Sequence, residues 1–149
     1  MRKIVLSTCL LLAFAAPAAI AAQNLPPASQ LLNKIPQNIL DGLDALRHDQ
    51  LDQVESSWKK GALTNLDGIS ASLRNDKDSL GEYRGFDLIS LQDISPRIRV
   101  LYIALNYERG PQFKKFVTYR NSTGWVVLEP ILNLNTADMA SVLAARPTS

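Results

Sequence analysis

Four stretches rich in aromatic and β-branched residues follow one another through the second half of this chain, and very little separates them. They run from Tyr83 to Gln92, Arg97 to Tyr107, Gln112 to Arg120 and Trp125 to Leu134. Each break is made of turn-forming residues: Ser95-Pro96, Glu108-Arg109-Gly110-Pro111 and Asn121-Ser122-Thr123-Gly124. A parallel crossover needs about a dozen residues or more, so strands joined this closely form an antiparallel meander.

Ahead of the strands the period is helical. Ile39, Leu43 and Leu46 fall at i, i+4 and i+7 with Leu40 alongside, while Asp41, Asp44 and Arg47 take the opposite side. Leu51, Val54 and Trp58 form a second stripe. The two stripes make one bent helix or two short ones, with Asp49 placed to cap the second. A further helix is predicted from about Asn65 to Leu80, with Leu66, Ile69, Leu73 and Leu80 inward and Gly81 as its stop. Thr136 to Ala145 reads as a terminal helical turn capped by Thr136, with Asp138 in the first turn. Helices first and strands afterwards make an α+β domain.

The turn after Tyr107 also predicts a register. Glu108-Arg109-Gly110 suits a three-residue loop with glycine in the left-handed position of a bulge, which sets Tyr107 opposite Pro111 and Leu105 opposite Phe113. One face then carries Arg99, Leu101, Ile103, Leu105, Tyr107, Phe113, Lys115, Val117 and Tyr119. The other carries Ile98, Val100, Tyr102, Ala104, Asn106, Lys114, Phe116, Thr118 and Arg120. Neither face is polar, and a slip of one residue leaves both substantially apolar.

The start of the chain reads as an export signal. Met1-Arg2-Lys3 is a short positive region, Ile4 to Phe14 is almost unbroken apolar sequence, and Ala19-Ile20-Ala21 fits a cleavage site. The apolar run is short for a bilayer span and Pro17 interrupts its end, so no stable membrane anchor is expected after cleavage. Cys9 sits too early, inside the apolar run, to be a lipoprotein acylation site. The expected organisation is a signal peptide over 1–22, an extended lead-in containing Pro26-Pro27 over 23–36, and one α+β domain over 37–149. A periplasmic or secreted protein follows.

Cleavage changes the charge balance. Loss of Arg2 and Lys3 brings the 16 basic residues level with the 14 acidic ones, and the net charge of +2 falls to zero. A neutral domain lacks the electrostatic footprint of a nucleic-acid binder. Cys9 leaves as well, so the mature chain has no thiol for disulfide, metal or nucleophilic chemistry. Neither a metal nor another cofactor is expected.

The run Gly81-Glu82-Tyr83-Arg84-Gly85-Phe86-Asp87-Leu88-Ile89 leads into Arg97-Ile98-Arg99-Val100-Leu101-Tyr102. Tyr107-Glu108-Arg109-Gly110-Pro111, Thr118-Tyr119-Arg120 and Gly124-Trp125 follow. From about Ile39 to Asn135 this is similar to small secreted bacterial members of the nuclear-transport-factor-2-like, or cystatin-like, superfamily. The resemblance implies a curved antiparallel sheet wrapped around the N-terminal helices as a cone, often with a pocket at the open end. It implies no single activity, since members include isomerases, dehydratases and proteins that only bind or assemble.

Few residues point to chemistry. His48 is the only histidine, and a continuous helix would align it with Asp44 and Asp52. That face lies opposite the apolar stripe, so a solvated face is expected. The superfamily's acid–base enzymes commonly place a carboxylate or histidine in the cone, with a tyrosine or second acid polarising the substrate. The inward strand positions offer Arg99, Tyr107, Tyr119 and Glu129, but no histidine. Arg99, Tyr107 and Tyr119 are the candidates for lining a ligand site. Arg97, Arg99, Arg109 and Arg120 are candidates for an anion-binding cluster, although such arginines usually pair with local acids such as Glu108 or Glu129. Neither a Gly-x-Ser-x-Gly motif, nor a phosphate-binding glycine loop, nor a HExxH motif occurs.

Three readings result. The first is an exported non-catalytic binding or assembly module, accepting a small apolar ligand and forming a homodimer through the outer sheet face at Ile98, Val100 and Tyr102. The second is a small isomerase- or dehydratase-like enzyme using a carboxylate and a tyrosine. The third is an envelope-associated structural subunit whose proline-containing lead-in contacts a partner. The rival to a dimer is that the terminal segment from Thr136 onward, or the lead-in before Pro36, folds over the outer face within one chain.

Overall fold

The computed structural model describes residues 28–62 and 66–144. Residues 1–22, expected to be a signal peptide, lie outside the described residues, as do the start of the expected lead-in, Asn65 and Ala145. Four helices, α1 (Ala28–Leu32), α2 (Gln37–Arg47), α3 (Leu51–Lys59) and α4 (Ile69–Leu80), precede four strands. These are β1 (Tyr83–Ser95), β2 (Ile98–Tyr107), β3 (Gly110–Asn121) and β4 (Gly124–Leu134), and α5 (Thr136–Ala144) ends the described chain. The sheet runs β1-β2-β3-β4, antiparallel throughout, so the protein has the α+β architecture expected from its helix-then-strand order. Among the described residues no helix is long and apolar enough to cross a membrane.

The lead-in is not extended throughout, because α1 occupies Ala28–Leu32 directly after Pro26-Pro27. The two apolar stripes are separate helices. Asp49 sits between them at φ 57 and Gln50, not Asp49, occupies the N-cap position of α3 without a side-chain cap. Aspartate tolerates that left-handed conformation, and its carboxylate is engaged with Lys77 at 2.7 Å instead. Gly81 stops α4 at φ 85, as expected. Thr136 does not cap α5. Asn135 Oδ1 accepts from the Asp138 N–H at 2.9 Å, and Asp138 Oδ2 accepts from the Asn135 N–H at 3.0 Å, a reciprocal cap.

Glu55 caps α4 from α3: its Oε2 accepts from the Ser70 N–H at 2.9 Å, and its Oε1 pairs with Lys59 at 2.6 Å. Hydrogen bonds from Lys59 and Ser70 hold its pKa down from 4.5 to about 2. A depressed folded-state carboxyl stabilises the protein above its unfolded pKa, and that contribution fades as pH falls from about 4.5 towards 2. Glu55→Gln is therefore expected to lower stability by about 1 kcal/mol at neutral pH, as for loss of a helix cap. The gap should narrow on acidification. Urea titrations of both proteins at pH 7 and near pH 3 (roughly, a point inside the titration window) check this, and a gap independent of pH would contradict the assignment.

The hairpin register differs from the sequence expectation. Tyr107 lies opposite Gly110 and Leu105 opposite Gln112, so the loop is Glu108-Arg109 alone. Tertiary contacts at the tip favour the tighter turn. The Glu108 N–H donates to Glu82 O at 3.1 Å, the Arg109 N–H donates to Leu80 O at 2.9 Å, and Arg109 Nη1 donates to Ser79 O at 3.0 Å. Glu108 also pairs with Arg84. These bonds tie the turn to the end of α4 and the start of β1.

A shift of one residue reverses β3. Lys114, Phe116 and Thr118 join Arg99, Leu101, Ile103, Leu105 and Tyr107 on the face towards the helices, while Phe113, Lys115, Val117 and Tyr119 join Ile98, Val100, Tyr102 and Ala104 outside. Irregularities in the β1–β2 and β3–β4 ladders bend the sheet around the helices. The core is Ile39, Leu43, Leu46, Val54, Trp58, Ile69 and Leu73 against Leu101, Ile103, Leu105, Phe116 and Val127. Val100 and Ala104 on the outer face, and Met139 and Val142 on α5, are also buried but stand apart from this core.

Candidate functional site

Trp58 occupies the centre of the space between helices and sheet. Its indole is fully buried, donates from Nε1 to Ile39 O at 3.2 Å, and meets Phe116 edge-on with ring centroids 4.9 Å apart. Gly42 is what admits it, because a Cβ there would lie 2.1 Å from Trp58 Nε1. Small-molecule sites usually occupy about 300–1,000 Å³. An interior ligand of that size would require Trp58 to move.

At one end of this interior lies a buried polar cluster. Asp76, on α4, continues the stripe of Ile69 and Leu73 and is 6% exposed. Lys114 on β3 is fully buried, and its Nζ donates to Asp76 Oδ2 at 2.5 Å and to the Leu132 carbonyl. Burial pulls the Lys114 pKa down, and the nearby Asp76 charge opposes that shift. Tyr107, on the same sheet face, is 5% exposed and packs edge-on against Tyr83 with centroids 5.8 Å apart. Both tyrosine hydroxyls are buried with no hydrogen-bond partner among the described residues. Burial raises the Tyr83 pKa to about 12 and raises Tyr107 further, with the Asp76 charge adding to the second. Both phenols therefore remain protonated donors at neutral pH.

The two tyrosines border a chamber of about 30 Å³ whose apolar walls include Leu46, Leu51 and Leu73. That space suits a single water. Lys77 stands at its edge, bridging Asp49 at 2.7 Å and Glu82 at 3.4 Å. Asp49, Leu51 and Lys77 also border an open polar groove with Asp52, Arg74 and Asp78. The cluster holds an acid, an amine and two phenols, a set able to move protons. The protein around it leaves little space for a substrate.

The residues expected to line a ligand site are not together. Tyr107 belongs to the buried cluster. Arg99 lies near the opposite end of β2, where its Nε donates to Asp93 Oδ1 at 2.6 Å and its guanidinium stacks on Trp125 at 4.6 Å. A second donor bond to Lys34 O ties the sheet to the segment before α2. Tyr119 is on the outer face because of the one-residue shift, beside a shallow groove shared with Arg97 and Arg120. Glu129 is exposed and pairs with outward-facing Val117. Arg109 lies at the hairpin tip, away from Arg97, Arg99 and Arg120.

Ile98, Val100 and Tyr102 do share the outer face. Val100 is buried, Ile98 and Tyr102 are half-buried, and Lys115 Nζ lies 5.8 Å from the Tyr102 ring centroid. His48 is exposed, with Nδ1 3.0 Å from Asp44 O, and the break after α2 separates it from the helix that carries Asp52. Among the described residues, no group of three or more histidines, cysteines or acids is placed to hold a metal.

Sequence reasoning missed Asp76 and Lys114. The signal for Asp76 was present, since Ile69, Leu73, Asp76 and Leu80 fall at i, i+4, i+7 and i+11 on one helical face. The signal for Lys114 was absent, because two adjacent lysines exchange faces with the register.

No protein-family model matches this chain, and no curated protein matches it. Among solved structures, a domain of unknown function with a cystatin-like fold from Nostoc punctiforme is similar at a TM-score of 0.49 and 10% sequence identity. The alignment covers 79% of this chain and 85% of that one.

Proposed function

We propose that this protein is an exported, non-catalytic binding or assembly module that pairs with a second copy through the outer face of its sheet. The observation that carries this reading is the contrast between the two sheet faces. The inner face is closed by Trp58 on Phe116. The outer face keeps Ile98, Tyr102, Phe113, Val117 and Tyr119 half-buried rather than buried, and contiguous apolar surface of this kind marks interaction sites. Twofold self-association is the commonest way to cover such a surface. The neutral charge expected after cleavage supplies little repulsion between copies.

Light scattering with Tyr102→Glu tests the reading. Wild type is expected to be dimeric at tens of micromolar, roughly the range where a modest interface stays populated, and the variant monomeric. A wild-type monomer in that range sinks the dimer and leaves α5, with its buried Met139 and Val142, as the cover of the face. A second reading, an acid–base enzyme, draws on one observation: a buried carboxylate, Asp76, whose charge reaches Tyr107.

A further inference from the structure

Lys114 Nζ and Asp76 Oδ2 lie 2.5 Å apart, with the lysine side chain fully buried and the aspartate 7% exposed. The space between α4 and β3 does not demand this pair, since two apolar side chains of similar volume fill such a site without desolvating charges. A primary amine is instead pressed against a carboxyl group in a dry setting. Its second hydrogen bond, to the Leu132 carbonyl, fixes the direction in which the nitrogen points. We propose that Lys114 and Asp76 condense into an intramolecular amide that joins α4 to β3.

The step balances without any co-reactant. In the reacting form the Nζ proton passes along the hydrogen bond to Asp76 Oδ2, leaving a neutral amine facing a carboxylic acid. The nitrogen lone pair attacks Asp76 Cγ and the C–N bond forms. The C–O bond to the protonated oxygen then breaks, and that oxygen departs with its own proton and one from the nitrogen. One water is lost, and nothing is oxidised or reduced. Fixed proximity of this kind replaces the entropy that a bimolecular condensation would lose.

The surroundings fit the reaction. Burial favours the nucleophilic, neutral amine. Tyr107, on the same sheet face as Lys114, keeps a buried hydroxyl with no hydrogen-bond partner among the described residues. The 30 Å³ chamber beside Tyr107 and Tyr83 has room for the departing water. The amide links positions 38 apart in sequence. It would serve as a covalent staple in a chain whose only cysteine, Cys9, lies in the export segment.

Intact-mass spectrometry of the denatured full chain tests this directly, with wild type compared against Lys114→Arg. Wild type is expected to be lighter by one water than the substitution alone predicts, and proteolysis should release a branched peptide joining the segments around Asp76 and Lys114. A wild-type mass that retains the water after prolonged incubation of the folded protein overturns the proposal. So does a lost water that maps to a cyclic imide at Asp76-Lys77. The decisive measurement is made on wild type, so a variant that folds poorly does not affect it.

Discussion

Asp76→Ala is expected to destabilise the folded protein by about 3–5 kcal/mol, the usual effect of removing one partner from a buried ion pair. Lys114 is fully buried, and among the described residues its other hydrogen bond goes to the Leu132 carbonyl. Without Asp76 the ammonium must be buried uncompensated or lose its proton. Either outcome lowers stability, and losing a covalent link would lower it too. Lys114→Met should be milder than Asp76→Ala, because the aspartate left behind keeps 6% of its surface exposed whereas Lys114 is fully buried. Asp76→Leu with Lys114→Met should recover much of the loss, since paired apolar replacements are often neutral. Urea unfolding of the four proteins measures the cycle. A fully destabilised double variant would show that the pair does more than satisfy itself.

Gly42→Ala is expected to destabilise by about 2–3 kcal/mol, the upper part of the overpacking range. Inside a helix this exchange ordinarily stabilises by about 1 kcal/mol, so the expected sign is reversed. The reason is steric. The added Cβ would sit 2.1 Å from Trp58 Nε1, 2.5 Å from Cδ1 and 2.8 Å from Cε2. The indole cannot retreat easily, because Phe116 meets one edge of it and Ile39 O holds its N–H. Shrinking the ring should relieve the conflict: Gly42→Ala is expected to cost less in a Trp58→Leu background than in wild type. Thermal unfolding of the double-mutant cycle reads this coupling, and additive effects would count against direct contact as the cause.

Much of this architecture was legible locally. Short turn-rich breaks dictated an antiparallel meander, and Asn121 illustrates why: its Oδ1 accepts from the N–H groups of Thr123 and Gly124 at 2.9 and 3.0 Å within the turn itself. Gly81 likewise stops α4 through its own conformational freedom. Helix faces were legible because the 3.6-residue period needs no partner to be seen. The third helix was expected too early, at Asn65, because Leu66 carries the apolar period ahead of Gly68, where the chain turns at φ 83 before α4 begins.

The tertiary structure decided what the local pattern left degenerate. Lys114 and Lys115 are chemically identical neighbours, and both faces of β3 are apolar enough to be buried. Bonds from the Glu108-Arg109 tip to Ser79, Leu80 and Glu82 select the two-residue turn. That selection sends Lys114 inward to Asp76 and Tyr119 outward. Charge at Asp76 was visible in the sequence; its burial depended on which lysine would meet it. Helix and strand content follow from periodicity within each segment, whereas the buried cluster depends on a register that distant contacts determine.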